Sequence, residues 1–169
     1  KQKAGNKALK YLTKERKISE KSIKDFRLGY APDSWDTLSN FLLSKGFKEE
    51  ELVLSGISVK RSTKEGIIDK FRGRVIFPLV SVDTKVLGFT GRTLFDREPK
   101  YLNTGETPVF HKSFFLFGLE KSRVGIKKDG VIFVEGQTDV ISAHQIGVEN
   151  VVCISGTALT DTQLEILSR

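Results

Sequence analysis

Val131–Ile141 reads VIFVEGQTDVI, an apolar run that breaks into a carboxylate, a glycine and a second carboxylate. Val131, Ile132, Phe133 and Val134 are β-branched, or aromatic, without interruption, the pattern of a strand buried on both faces of a parallel sheet. Glu135 then stands at the carboxyl end of that strand, and Gly136 permits a tight turn. Thr138 to Ile146 carries Val140, Ile141, Ala143 and Ile146 at helical spacing, Gly147 follows, and Val151–Ile154 is a second apolar run. The order strand, helix, strand describes a right-handed βαβ unit. Open α/β sheets hold ligands at the carboxyl ends of their strands, so Glu135 and Asp139, one helical turn apart, are placed to face one small volume. Two carboxylates around a glycine, with no Lys or Arg beside them, suit a hard cation such as Mg2+. The same spacing also fits a helix N-terminus whose dipole favours acidic side chains without any metal, and the residues alone leave both readings open.

The chain's 169 residues are enough for one or two units with a real core. No apolar run approaches 18 residues and no signal-peptide pattern is present, which argues against a membrane span or secretion. The single cysteine, Cys153, lies in an apolar strand and reads as a buried structural thiol; with only His111 and His144 beside it, a zinc site within this chain is not expected. Methionine is absent even at position 1, and the sequence stops within an expected helix, announced by Thr160 and Gln163 as a capping box; both suggest a piece of a longer protein. The net charge of +7 is unevenly spread: +4 over residues 1–59, +8 over 60–128 and −5 over 129–169. A basic middle facing an acidic end suits an enzyme that grips a polyanion with one part and holds metal ions with another.

In chain order, Ala4–Arg16 reads as a basic helix with one apolar face, and Ser19 as the cap of a second helix through Phe26. Residues 28–32 break the pattern. Asp33 or Ser34 is expected to cap a third helix bearing Trp35, Leu38, Phe41 and Leu42, and Lys48–Leu54 makes a fourth, with these apolar residues mostly in a core. Val75–Val80 and Val86–Thr90 form a hairpin around Ser81–Lys85, with Pro78 indicating an edge or a bulge. Arg72, Arg74, Arg92 and Lys100 are spaced around Gly73, Gly88 and Gly91, an arrangement suited to phosphate contacts. Phe114–Phe117 reads as core, or as aromatics able to stack a base, and Leu119–Ile126 as a short helix before the Asp129–Gly130 turn.

Taken together, ALKYL with ISEKSIKDFRLGYAP, FRGRVIFPL, VLGFTGR, PKYLNTGETPVFHKS with LFGL, and VEGQTDVISAHQIGVENVVCISGTALT resemble the RNA polymerase core of the bacterial DnaG-type DNA primases. The resemblance implies a mixed α+β chain: a small helical and mixed-sheet basic subdomain over residues 1–128, followed by the start of a Toprim α/β domain over 129–169. It also implies synthesis of short RNA primers on single-stranded DNA from ribonucleoside triphosphates during replication, in the bacterial cytoplasm, by metal-dependent nucleotidyl transfer with Mg2+ or Mn2+. Glu135 and Asp139 match the first metal-binding Toprim motif; Arg92, Lys100, Asn103 and Lys112, with Arg72 and Arg74, match the basic nucleotide- and template-handling positions. Implied partners are the template, the primer–template hybrid and a replicative helicase bound through a region outside this chain, with no membrane; the family's zinc-binding domain likewise lies outside it. Two departures stand out. Gln137 and Thr138 replace the usual aromatic and aliphatic pair, and the further Toprim aspartates expected on a later strand are not in this sequence. Two other readings stay open: a noncatalytic nucleic-acid-binding module, and another Toprim protein such as a topoisomerase or nuclease.

Overall fold

The structure, a computed structural model, describes residues 3–62, 65–154 and 158–168. Its first element is α1 (Lys3–Lys10), which does not run on to Arg16 as one α-helix but widens into a π-helical turn over Tyr11–Glu15, with the Arg16 amide bonded to Tyr11 O at 3.0 Å. α2 (Glu20–Asp25) is capped as expected by Ser19, whose hydroxyl accepts from the Ser22 amide at 3.1 Å. The 28–32 break holds a short strand, β1 (Gly29–Ala31). α3 (Thr37–Ser44) begins later than expected because its cap is remote: Asp69 of β3 (Ile67–Asp69) accepts from the Leu38 and Ser39 amides, each at 2.8 Å. α4 (Glu49–Leu54) and β2 (Ser58–Lys60), antiparallel to β3, complete this small lobe. Leu52 and Ile67 are buried, but most of its apolar residues are not the core that the sequence suggested. Trp35 is 61% exposed, and Leu38, Phe41, Phe47 and Leu54 are also exposed, because the lobe is too thin to cover them.

The hairpin forms from β4 (Arg74–Val80) and β5 (Val86–Thr93). β5 runs past Thr90 to Thr93 because β4 on one side and β6 (Tyr101–Asn103) on the other keep pairing it, so Arg92 lies within the strand. Pro78 sits beyond the reach of β1, which pairs only Arg74–Ile76, and the irregularity falls between Leu79 and Val80. The sheet order is β1-β4-β5-β6.

After a 3-10 turn at Lys112–Phe114 come β7 (Leu116–Phe117) and α5 (Leu119–Asp129), then the motif itself: β8 (Ile132–Val134), α6 (Gln137–Gln145) and β9 (Val151–Ile154). β8 and β9 are parallel, as the βαβ reading requires, but β7 adds antiparallel on the far side of β9, giving the order β7-β9-β8. The strand buried on both faces is therefore β9. β8 is an edge strand whose Ile132 and Phe133 are 44% and 39% exposed. α7 (Asp161–Leu167) starts with the expected Thr160–Gln163 capping box.

One core joins the two sheets. Tyr11, Ile18 and Phe26 from the first helices pack with Val75, Phe77 and Leu79 of β4, with Phe110, Phe115 and Phe117, and with Val140, Ile141, Val151 and Cys153 of the βαβ unit. Burial pushes the Cys153 thiol up to about 12, the inert state expected of it.

Candidate active site

Val140 and Ile141, fully buried, fix the inner face of α6 and so turn its first residues towards the gap between the two sheets. Gly136 is extended (φ −131°), so no left-handed turn explains the glycine. Its use is room: an added Cβ would stand 3.2 Å from Asp139 Oδ2, the oxygen that accepts from the Gly136 amide at 3.1 Å. Asp139 thus spends one oxygen on its own helix and keeps the other. Glu135 at the end of β8 is exposed rather than enclosed.

Opposite lie β5 and β6. Register pairs Thr90 with Asn103 and Arg92 with Tyr101, and strand alternation puts these four side chains on one face. Thr90 Oγ1 donates to Asn103 Oδ1 at 2.8 Å, which leaves the Asn103 amide hydrogens to the gap, and Gln137 Nε2 approaches Thr90 Oγ1 at 3.4 Å. The gap is a cleft of about 410 Å3 lined by Arg16, Thr90, Tyr101, Asn103, Ile154 and the Glu135–Asp139 segment. A more apolar cavity of about 320 Å3 beside Val80, Leu87, Phe115 and Ile166 has no carboxylate in its lining.

Arg16 and Thr90 were not marked by the sequence. Arg16 reaches the cleft through the π-helical turn: its Nε donates to the Tyr11 hydroxyl, five residues back, at 2.5 Å. Arg92 lies over the same Tyr11 ring at 4.2 Å and donates through Nη1 to Thr93 O, while its buried Nε has no partner among the described residues. Burial holds the Tyr11 hydroxyl above its ordinary pKa, so it stays neutral between two cations. The signal for Arg16 was its five-residue spacing from Tyr11, which no α-helical template scores.

The structure brings Glu135, Asp139 and Asn103 together in one cleft, with Arg92 at its edge. Lys100 is exposed, with its amide donating to Glu98 Oε2 at 2.7 Å. Lys112 is half-buried in the 3-10 turn, and Lys70, lowered first by burial, is lowered further by the Lys112 charge. Arg72 donates to Asp69 O at 2.6 Å and stacks 4.2 Å over the exposed Trp35 ring. Lys100, Lys112 and Arg72, like Arg92, lie outside the cleft lining. Arg74 departs from its expected place among phosphate-facing cations: it is 4% exposed and its Nη atoms donate to Gly91 O, Pro99 O and Lys100 O at 3.0, 2.9 and 3.3 Å.

The donor set fits a hard cation in kind. Glu135 and the free oxygen of Asp139 are two hard oxygens, and Mg2+ commonly binds through one or two carboxylates with waters and substrate phosphates completing its shell. Among the described residues no group of three His, Cys, Asp or Glu side chains gathers to supply more.

Residues 1–123 match the family model of the DNA primase catalytic core, N-terminal domain, and residues 132–169 match a Toprim-like model. The DNA primase of Clostridium acetobutylicum is 45% identical over 169 residues, covering 98% of this chain and 27% of that protein, and the DNA primase of Synechococcus elongatus is 42% identical, covering 98% and 24%. The chain spans about a quarter of the length of these relatives. Among solved structures, the RNA polymerase domain of Mycobacterium tuberculosis primase DnaG is similar, with a TM-score of 0.91 at 36% identity over 99% of this chain and 54% of that one. A DnaG primase catalytic domain bound to single-stranded DNA matches with a TM-score of 0.89 at 32% identity, covering 100% and 54%. The Toprim and primase folds suggest a divalent metal cation.

Proposed function

This chain belongs to the bacterial DnaG-type DNA primase catalytic-core family, and from that membership we propose that the protein carrying it synthesises short RNA primers on single-stranded DNA during replication. The observation that supports this reading is the meeting of two surfaces in one cleft: Asn103, Tyr101 and Arg16 from the basic lobe, Glu135 and Asp139 from the acidic βαβ unit.

In this reading Glu135 and Asp139 hold Mg2+ or Mn2+. An ion held there would supply Lewis-acid activation for the primer's 3′ hydroxyl and charge neutralisation for the leaving pyrophosphate. Asn103, its Oδ1 held by Thr90, offers amide hydrogens to an acceptor of the incoming ribonucleoside triphosphate, and Arg16 and Arg92, both against Tyr11, counter phosphate charge. Lys100 and Lys112 steer the triphosphate and the template, and the Arg72–Trp35 stack gives a single strand a flat, cationic platform outside the cleft. The primer–template hybrid leaves from the same cleft, and the helicase is bound by a region outside this chain, in the bacterial cytoplasm at the replication fork. A noncatalytic binding module or another Toprim protein is not favoured, since the relatives matched over nearly the whole chain are DNA primases.

The test is Glu135→Gln in the primase that contains this chain, a change that keeps shape and removes charge. Primer synthesis should fall by about 100-fold or more while binding to a single-stranded oligonucleotide stays within about two-fold. Full synthesis by the variant would remove Glu135 from the chemistry and overturn the reading.

A further inference from the structure

We propose that Arg74 is a positioning residue that sets the cleft from behind, by anchoring the start of β6. Tyr101 and Asn103 enter the cleft from β6, a three-residue strand at the open edge of its sheet, paired only with β5. So short an edge strand is weakly held by its own ladder. Arg74 sits on β4, two strands away, on the face opposite the cleft, since Val75 is the residue aligned with Arg92 and Tyr101. From there its side chain passes beneath β5 and donates to the Gly91, Pro99 and Lys100 carbonyls. The Lys100 carbonyl also takes the Thr93 amide at 3.0 Å, so the entry to β6 is fixed from two directions.

The passage exists because residue 91 has no side chain. A Cβ there would stand 2.7 Å from the Phe71 ring and 2.9 Å from Arg74 Cδ. Among the described residues no carboxylate hydrogen-bonds to Arg74; its donors go to carbonyls, and burial, with the charges of Arg97 and Arg72, lowers its pKa. Such a planar fork, which a lysine cannot reproduce, matches an anchoring task rather than a phosphate contact.

The proposal rests on the reading of the cleft given above, and its test separates the two. In Arg74→Lys, hydrogen exchange of the Thr93 and Thr104 amides, which bond Lys100 O and Phe89 O at the two ends of β6, should quicken by about ten-fold or more. The amides of Val75–Phe77 should stay unchanged. Affinity for oligo-dT should drop about five-fold with an unchanged slope against salt, and in Arg74→Gln, which removes the charge, the slope should also hold, whereas loss of a direct phosphate contact would lower it by about 0.7. Gly91→Ala, which displaces Arg74 and keeps its charge, should reproduce the pattern and decides the matter if Arg74→Lys fails to fold. Unchanged exchange at Thr93 and Thr104, acceleration spread equally over β4, or a lowered salt slope would each overturn the proposal. Failure of the wild-type chain to bind oligo-dT would count against the cleft reading alone, because the exchange data judge Arg74 without it.

Discussion

The placement of Glu135 after a strand and of Asp139 in the first turn of the next helix was legible because the signal is local: an apolar run, a carboxylate, a glycine and one helical turn. The place of Arg16 was not, since it depends on a π-helical turn and on a cleft whose other lining residues are more than 70 positions away. His144 was visible only as an unused histidine. Its Nε2–H donates to Ser122 Oγ at 2.9 Å, and that hydroxyl donates on to Val151 O at 2.7 Å. Burial holds its pKa below the ordinary 6.5. The unfolded chain therefore takes up the proton first, and stability is lost as pH falls below that ordinary value towards the lower folded one. The drop in unfolding midpoint between pH 7.5 and 5.5 should be smaller in His144→Gln than in wild type; equal drops would assign it to other groups. Glu120 has the opposite sign. Burial raises its pKa and its Oε2 has no partner among the described residues, so it costs stability where it must ionise. Glu120→Gln should raise the midpoint at pH 7.5, with the gain shrinking as pH falls through the raised pKa towards the ordinary 4.5.

At the level of elements, helices with a cap in their own sequence were read well: Ser19 and Thr160 start α2 and α7. α3 was misplaced by several residues because its cap comes from Asp69, about 30 residues downstream, a signal no local window contains. That carboxylate also accepts from Ser39 Oγ at 2.7 Å, and both residues are buried. Asp69→Ala leaves the buried Ser39 amide and the half-buried Leu38 amide without an acceptor, while Ser39 Oγ keeps Ser58 Oγ at 2.9 Å, and should cost about 2 kcal/mol by urea unfolding, with Asp69→Asn costing less. A loss under about 1 kcal/mol would mean that water or Asp36 replaces the cap. Three-residue strands such as β1 and β6 lay below the sequence's resolution, because only their partners in β4 and β5 make them strands.

For the molecule as a whole, the division between a basic body and an acidic βαβ unit was legible in the charges, whereas burial was not, because it depends on which layer covers which. β8 reads as an interior strand and stands at an edge with Ile132 and Phe133 exposed. Such an edge should promote association, so changing Ile132 to Thr and Phe133 to Ser together should reduce dimer formation of this chain at high concentration in sedimentation; unchanged association would place the sticky surface elsewhere. Replacing Arg92 and Lys100 together by Ala should weaken oligonucleotide binding and cut its salt slope by about 1.4, twice the single-strand value per phosphate contact. A slope left intact would move the template path towards the Arg72–Trp35 surface. The core shared between the helices around Tyr11, Ile18 and Phe26 and the strands around Val151 and Cys153 bears on how such proteins diverge. A crossover placed between residues 123 and 132, where the two family matches part, would pair one ancestor's half-core with another's. Hybrids between relatives should therefore survive only when those packing positions are inherited as a block.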